Sequence, residues 1–251
     1  MKLLLIFLGI IIGVIIFLGI IALIIYGNLK NAFRKLGFNV NNLNDMTDEI
    51  ARIKREDSNR ARSISGMTDL LLPQIHRDFP EFNVNELYAM TESALRKIFN
   101  SIEEKNKEYV NDMPLIRNSV SNIIDDYERA SISVQYDDIE FHKFAISKYE
   151  RKDGVSTVTV TTSIGYYFKK LKNGKILEGD TKLKKQTRYR CEIIYIYDET
   201  KVSSDAKVLA INCPNCGAAI STLGHKYCEY CGTGIKEVNL KSWEFSSYEE
   251  Y

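Results

Sequence analysis

The sequence predicts an α+β domain in which helices come first and an antiparallel sheet follows. Between residues 83 and 127, apolar residues recur at helical spacing and give each segment one apolar stripe. After Ala130 the period shortens to two, which is typical of strands, and Asn173-Gly174 supplies a hairpin turn. Helices grouped before an antiparallel meander are expected to cover one face of the sheet.

The first predicted helix begins at a capping box. Asn83 is a good helix cap, and Glu86 follows it three residues later. We expect this helix to run to about Val110, and a second helix to begin near Asp112 with Pro114 in its first turn. The predicted buried stripes are Leu87, Thr91, Ala94, Leu95, Ile98 and Ile102 in the first helix, and Ile116, Val120, Ile123, Ile124 and Tyr127 in the second.

Alternation with a period of two marks the strands. Apolar residues alternate with threonine and serine from 157 to 168, between turn signals at Asp153-Gly154 and Asn173-Gly174. The strands are expected within residues 139–146, 157–168, 189–197, 207–211 and 238–245, the last containing Trp243.

Four cysteines near the C-terminus form two CxxC pairs separated by eleven residues, and a glycine follows each pair. Two such pairs can place four thiolates around one tetrahedral ion, and a closed site of this kind leaves no coordination position for a substrate. The spacing predicts a structural Zn²⁺ in a zinc ribbon at residues 212–236, with two disulfides or a redox CxxC as the alternatives. The predicted ligands are Cys213, Cys216, Cys228 and Cys231.

Two further residues bear on this chemistry. His225 lies three residues before Cys228 and is the alternative donor for the metal, although four cysteines already saturate a zinc ion. Cys191 lies in an apolar, strand-like run, where a buried small hydrophobe is the ordinary interpretation and a reactive thiol the alternative.

The N-terminal segment carries no charge from Leu3 to Tyr26. Its 24 residues would span about 36 Å as a helix, which exceeds a hydrocarbon core of about 30 Å. A signal peptide has a shorter apolar stretch and a small-residue cleavage site, which this segment lacks. We therefore predict an uncleaved transmembrane anchor at residues 1–27, a charged tether at 28–66 and a globular domain at 67–251.

The bases that flank this segment predict its orientation. Lys30, Arg34 and Lys35 follow it, and no acid occurs before Asp45, so the C-terminal bulk is expected in the cytoplasm of a single-pass cell-membrane protein. Zinc-bound thiolates also persist more readily in a reducing compartment. Gly9 and Gly13 form a GxxxG step, which makes a homo-oligomer one alternative.

A block before and along the first helix resembles bacterial Tim-forty-four-like proteins, which are relatives of the C-terminal domain of the mitochondrial import-motor tether. The hairpin, the stretches CPNCGA and CEYCG, and Trp243 complete a resemblance that covers roughly residues 68 to 246. The residues that carry it before the helix are Pro73, Ile75, Asp78, Phe79, Pro80, Phe82 and Asn83.

This resemblance implies the cone-like α+β fold of nuclear transport factor two, in which a curved sheet wraps a long helix and leaves a pocket. That fold hosts both binding modules and enzymes, so it does not fix a function. The mitochondrial relative touches the inner membrane and partner proteins. Membrane-proximal binding is therefore the expectation for this chain, and protein import is not.

The predicted hairpin at residues 169–190 is strongly basic, with nine bases against two acids in a chain whose net charge is only +1. Such a patch beside a bilayer suits anionic lipid or an acidic protein, while nucleic acid and a solvated hairpin that resists edge pairing are the alternatives. The bases are Lys169, Lys170, Lys172, Lys175, Lys182, Lys184, Lys185, Arg188 and Arg190.

The sequence contains no catalytic motif that we can identify: there is no phosphate-binding glycine loop, no HExxH and no Ser-His-Asp order. A position of His142 in the cone pocket, beside Tyr166 or Tyr189, is the alternative to a core or surface position, and it keeps an enzyme or a small-ligand binder as an alternative function. Our prediction is a non-enzymatic, membrane-anchored binding or scaffold module that engages a protein or lipid partner.

Overall fold

A computed structural model describes residues 2–35, 43–197, 211–213, 215–220, 227–234 and 242–251. The chain divides into two compact units, Met1–Asp57 and Ser58–Tyr251.

The N-terminal unit contains an apolar helix. Helix α1 spans Lys2–Lys35, and within it Ile11–Ala32 is long and apolar enough to cross a membrane, by length and composition. Helix α2 spans Leu43–Asn59 and lies in the segment where the sequence, with its sparse apolar residues, predicted no helix. Arg52 pairs there with Glu49 and Glu56 at helical spacing, which supports a polar helix.

Three further helices begin the second unit. Helix α3 spans Thr68–Asp78, helix α4 spans Val84–Glu104, and helix α5 spans Arg117–Arg129. The predicted helix cap at Asn83 is confirmed, because Asn83 Oδ1 accepts hydrogen bonds from the N–H groups of Asn85 and Glu86. Asn83 Nδ2 also donates to Glu86 Oε1 at 2.9 Å.

Both predicted helices have different bounds in the structure. Helix α4 ends before Val110 because Lys105 adopts a left-handed conformation (φ 53°) and its N–H bonds to the Ser101 carbonyl. Lys107–Val110 is a separate 3-10 turn. Helix α5 begins at Arg117 rather than near Asp112, since residues 111 to 116 form turns.

The main sheet is antiparallel, with strand order β1-β2-β3-β6. Its strands are β1 at Ile132–Lys152, β2 at Val155–Lys172, β3 at Lys175–Ile196 and β6 at Glu244–Glu250. Both predicted turns are confirmed, and the residues at Asp153-Gly154 and Asn173-Gly174 have positive φ, as tight hairpins require. Strand β1 begins seven residues earlier than predicted, and Trp243 precedes β6 instead of lying within a strand.

A small second sheet pairs β4, Ile211–Asn212, with β5, Ala219–Ile220. Residues 198–210 and 235–241 lie outside the described part of the chain, and most of the strand predicted at 207–211 falls there.

Helix α4 packs on one face of the main sheet and covers it with apolar side chains. Leu95, Ile98 and Phe99 are buried in one apolar cluster with residues of β1, β2 and β3, and all six residues of the predicted stripe of this helix are buried, so the stripe is confirmed. Phe99 stacks on Tyr136 with ring centroids 4.8 Å apart and contacts Tyr166 and Tyr189. The space between helix and sheet is therefore packed with aromatic rings.

The incoming chain from Ser58 to Met67 lies on the other face of the sheet. Lys184 N donates to Ser58 Oγ at 2.6 Å, Arg62 Nε donates to the Gln186 carbonyl at 3.0 Å, and Met67 N donates to the Ile146 carbonyl at 2.7 Å. Both faces of β2 are consequently buried, including most of its threonines and serines.

Candidate metal centre and basic hairpin

The two CxxC pairs form matching loops. Gly217 N donates to the Cys213 carbonyl and Gly232 N donates to the Cys228 carbonyl, each at 2.9 Å. Both glycines have positive φ, 72° and 71°, which lets the chain turn back behind the second cysteine of each pair. Two further hydrogen bonds close the loops, each at 2.8 Å. Cys213 N donates to the Ala218 carbonyl, and Cys228 N donates to the Thr233 carbonyl.

These loops bring all four predicted thiols together. Cys213 Sγ lies 3.4 Å from Cys231 Sγ, Cys216 Sγ lies 3.7 Å from Cys228 Sγ, and all four sulfurs lie within 4.8 Å of one another. Tetrahedral Zn–S bonds of about 2.3 Å would separate the sulfurs by about 3.8 Å. The thiols are not joined in disulfides, whose S–S bond is about 2.05 Å. The cluster can therefore hold a metal ion.

Hydrogen bonding favours the thiolate at one position of this cluster. The Thr233 hydroxyl lies 3.2 Å from Cys231 Sγ and, together with the Thr233 backbone N–H, lowers the pKa of the Cys231 thiol to about 5. A thiolate is the form that binds a metal. His225, the alternative donor, lies outside the described residues.

Cys191 takes no part in the cluster. It lies fully buried in β3, within the apolar core, and burial raises the pKa of its thiol. Its position agrees with the expected role of a small hydrophobe.

The nine bases of the hairpin do not form one unpaired basic patch, because several of them contact acids or aromatic rings. Lys184 pairs with Asp138 at 2.8 Å and with Glu140 at 3.2 Å. Two other ion pairs are Lys185 with Glu250 at 2.6 Å and Arg190 with Glu249 at 3.2 Å. Lys170 instead lies over the Tyr127 ring, and Arg188 over the Tyr251 ring.

Four lysines of the hairpin have neither an acidic partner nor an aromatic ring contact of their side chains within the described residues. Two of them, Lys172 and Lys175, flank the turn beside an apolar apex that the sequence analysis missed, where Ile176 is 55 % and Leu177 57 % exposed. The signal was present in the sequence as an Ile-Leu pair directly after the Asn-Gly turn and its lysines. These four lysines are Lys169, Lys172, Lys175 and Lys182.

The interior that the cone resemblance would leave as a pocket is occupied by side chains. The hydroxyls of Tyr166 and Tyr189 lie 3.3 Å apart in the core, and burial raises the pKa of both groups. His142 does not join them. It lies on the opposite face of the sheet, where its Nε2 is 3.0 Å from Gln186 Oε1.

No protein-family model matches the chain, and no curated protein matches it.

Proposed function

We propose that this chain is a single-pass membrane protein of the Tim-forty-four-like kind, whose body from Ser58 onward is a binding module on the cytosolic side. The apolar helix α1 supports an anchor, and the bases that follow its span support this orientation. The order of helices before an antiparallel sheet agrees with a cone-like fold related to nuclear transport factor two. Its role is to bind, with no chemistry of its own.

The metal in the cysteine cluster is proposed to be structural Zn²⁺. Four thiolates at tetrahedral separation suit zinc, and no coordination position would remain for a substrate. The ion would join two short loops, of which the first is closed by the β4–β5 pairing and the second by a bridge between Tyr227 and Gly234.

The proposed partner of the body is the anionic surface of its own membrane. A single observation carries this proposal: four lysines without acidic partners, among the described residues, lie on the same hairpin as the exposed Ile176 and Leu177, and two of them flank its turn. Lysines near an anionic bilayer each contribute about 1 kcal/mol, and apolar side chains that enter the interface add to this.

The chain length keeps the body close to that surface. Residues 36 to 57 separate the end of α1 from Ser58, and even fully extended they reach only about 80 Å at roughly 3.5 Å per residue. A weak contact between the apex and lipid is thus made within one molecule, where its effective concentration is high.

Hydrogen exchange of the full chain in lipid nanodiscs tests this contact. Amides of residues 169–182 should exchange several-fold more slowly in discs containing phosphatidylserine than in discs of phosphatidylcholine alone. A Lys172→Gln, Lys175→Gln, Lys182→Gln variant should lose that protection, and so should Ile176→Ser with Leu177→Ser.

The matched control is Lys148→Gln, which removes an exposed lysine that already pairs with Glu150 at 2.8 Å. It should keep the lipid-dependent protection. Equal exchange in both kinds of disc would rule out the lipid surface as partner, and an acidic protein would then be the better candidate for the same lysines.

A further inference from the structure

A surface cavity of about 600 Å³ lies beside the turn between α3 and α4. Its walls come from this turn, from the first turns of α4, from Tyr195 near the end of β3 and from Trp243 before β6. The volume falls within the range of small-ligand pockets. This cavity is separate from the cysteine cluster and from the hairpin apex.

Four aromatic rings line the cavity and contact one another. Trp243 lies 5.0 Å from Phe79, 5.5 Å from Phe82 and 5.5 Å from Tyr195, measured between ring centroids. The interplanar angles of 56° to 73° leave the rings tilted relative to one another. The electron-rich face of an aromatic ring attracts a cation, so a cavity with an aromatic lining suits one.

The charged groups of the lining are all carboxylates. Among the described residues, Asp78, Glu81 and Glu86 line the cavity and no lysine, arginine or histidine does. Asp78 is already engaged, because Tyr149 Oη donates to it at 2.7 Å and Arg151 pairs with it at 3.1 Å. Within the described residues, Glu86 accepts a side-chain hydrogen bond only from the neutral Asn83 amide, and neither Glu81 nor Glu86 pairs there with a cationic side chain.

The start of helix α4 at this cavity does not favour an anion. Two N–H groups of its first turn, those of Asn85 and Glu86, already donate to Asn83 Oδ1. The Glu86 carboxylate also occupies the positive end of the helix dipole. The remaining charge of the site is therefore negative.

We propose that this cavity binds an organic cation, a substituted ammonium group that rests against Trp243 and Phe79 with Glu81 and Glu86 as counter-charges. The inference does not depend on the proposed lipid contact of the hairpin. A choline headgroup and a methylated lysine side chain carry the same ammonium chemistry, and the experiment below separates these two sources.

Trp243 is the single tryptophan of the chain, so its fluorescence reports directly on the cavity. The full chain in maltoside micelles, which carry no ammonium group, is titrated with choline and with 3,3-dimethyl-1-butanol, its uncharged isostere. Choline should give a saturable change in the emission of Trp243. The neutral alcohol should bind roughly tenfold more weakly, since it lacks the charge that the rings and carboxylates attract.

Charge-removing variants locate the site. Glu81→Gln combined with Glu86→Gln should weaken choline binding roughly fivefold or more. The control Glu108→Gln removes a carboxylate beyond the other end of α4 and should leave the binding unchanged. Circular dichroism of each variant checks that the fold is retained.

Glycerophosphocholine and a peptide containing trimethyl-lysine then compete for the same signal, and the tighter of the two identifies the source of the cation. Equal binding of choline and the neutral alcohol would overturn the proposal, because the cavity would then select by shape alone. Absence of a saturable signal with every cation would overturn it as well, as would a Glu81/Glu86 variant that binds like the wild type.

Discussion

The side-chain amide of Gln186 lies directly over the backbone of Gly165, its partner in the neighbouring strand. A Cβ atom on Gly165 would meet Gln186 Nε2 at 2.6 Å, closer than Cβ contacts occur. In this position Gln186 Nε2 donates to the Ser58 carbonyl at 2.8 Å, and Oε1 meets His142 Nε2 at 3.0 Å. One amide thereby connects strand β1 to the incoming chain across β2.

Replacing Gly165 with alanine should destabilise the body by about 1–3 kcal/mol, because the new methyl group displaces a buried amide from its partners. Urea unfolding of the full chain in maltoside micelles, followed by circular dichroism, measures the change. The double variant Gly165→Ala, Gln186→Ala should lose less stability than the two single variants added together. Strict additivity would show that the two residues are not coupled.

Each cysteine of the cluster should be needed for metal binding. Serine at Cys213 or Cys228 is expected to reduce bound zinc from about one ion per chain to near zero, since a tetrathiolate site loses a ligand that nothing replaces. Metal analysis after dialysis, and the thiolate absorption of the Co²⁺-substituted protein, report this loss. Cys191→Ala is the control, and a variant of that buried residue that also lost its metal would contradict the assignment.

Three tyrosines in the core should make the body sensitive to alkali. Burial raises the pKa of Tyr136, Tyr166 and Tyr189, so the folded chain keeps these hydroxyls protonated after the unfolded chain begins to ionise near pH 10. The unfolded state then binds fewer protons, and the free energy of unfolding falls as the pH rises above about 10. Each such group contributes up to about 1.4 kcal/mol per pH unit to this fall.

Tyr189→Phe should therefore reduce the slope of stability against pH between about pH 10 and 11.5. Urea unfolding at a series of pH values measures the slope. Tyr230→Phe, at a position 77 % exposed, is the control and should match the wild-type slope. An unchanged slope for Tyr189→Phe would contradict the linkage.

The parts of the fold that the sequence predicted correctly are those set by local patterns. The stripe of α4 and its cap at Asn83 depend on residues within a few positions of one another, as do the two tight turns of the sheet. The end of α4 was misplaced, because the left-handed Lys105 has no glycine signal. The sequence also did not predict that residues 58–67 cover the outer face of the sheet, since the residues they contact, such as Lys184 and Gln186, lie far along the chain.

The same distinction holds for the sites. The spacing of the four cysteines along the chain is enough to predict that their thiols meet. The sequence did not show which bases of the hairpin are paired with acids, because the acids that pair with Lys184 and Lys185 come from β1 and β6. The cavity beside Trp243 could not be predicted either, because its aromatic rings come from three separate parts of the chain.

The most direct test of the central claim is protease treatment of membrane vesicles of both orientations that contain the full chain. The account predicts that the body is digested in inside-out vesicles and protected in right-side-out vesicles, while a fragment of α1 stays with the membrane. Digestion of the body in right-side-out vesicles, or release of the intact chain from the membrane by alkaline carbonate, would contradict it.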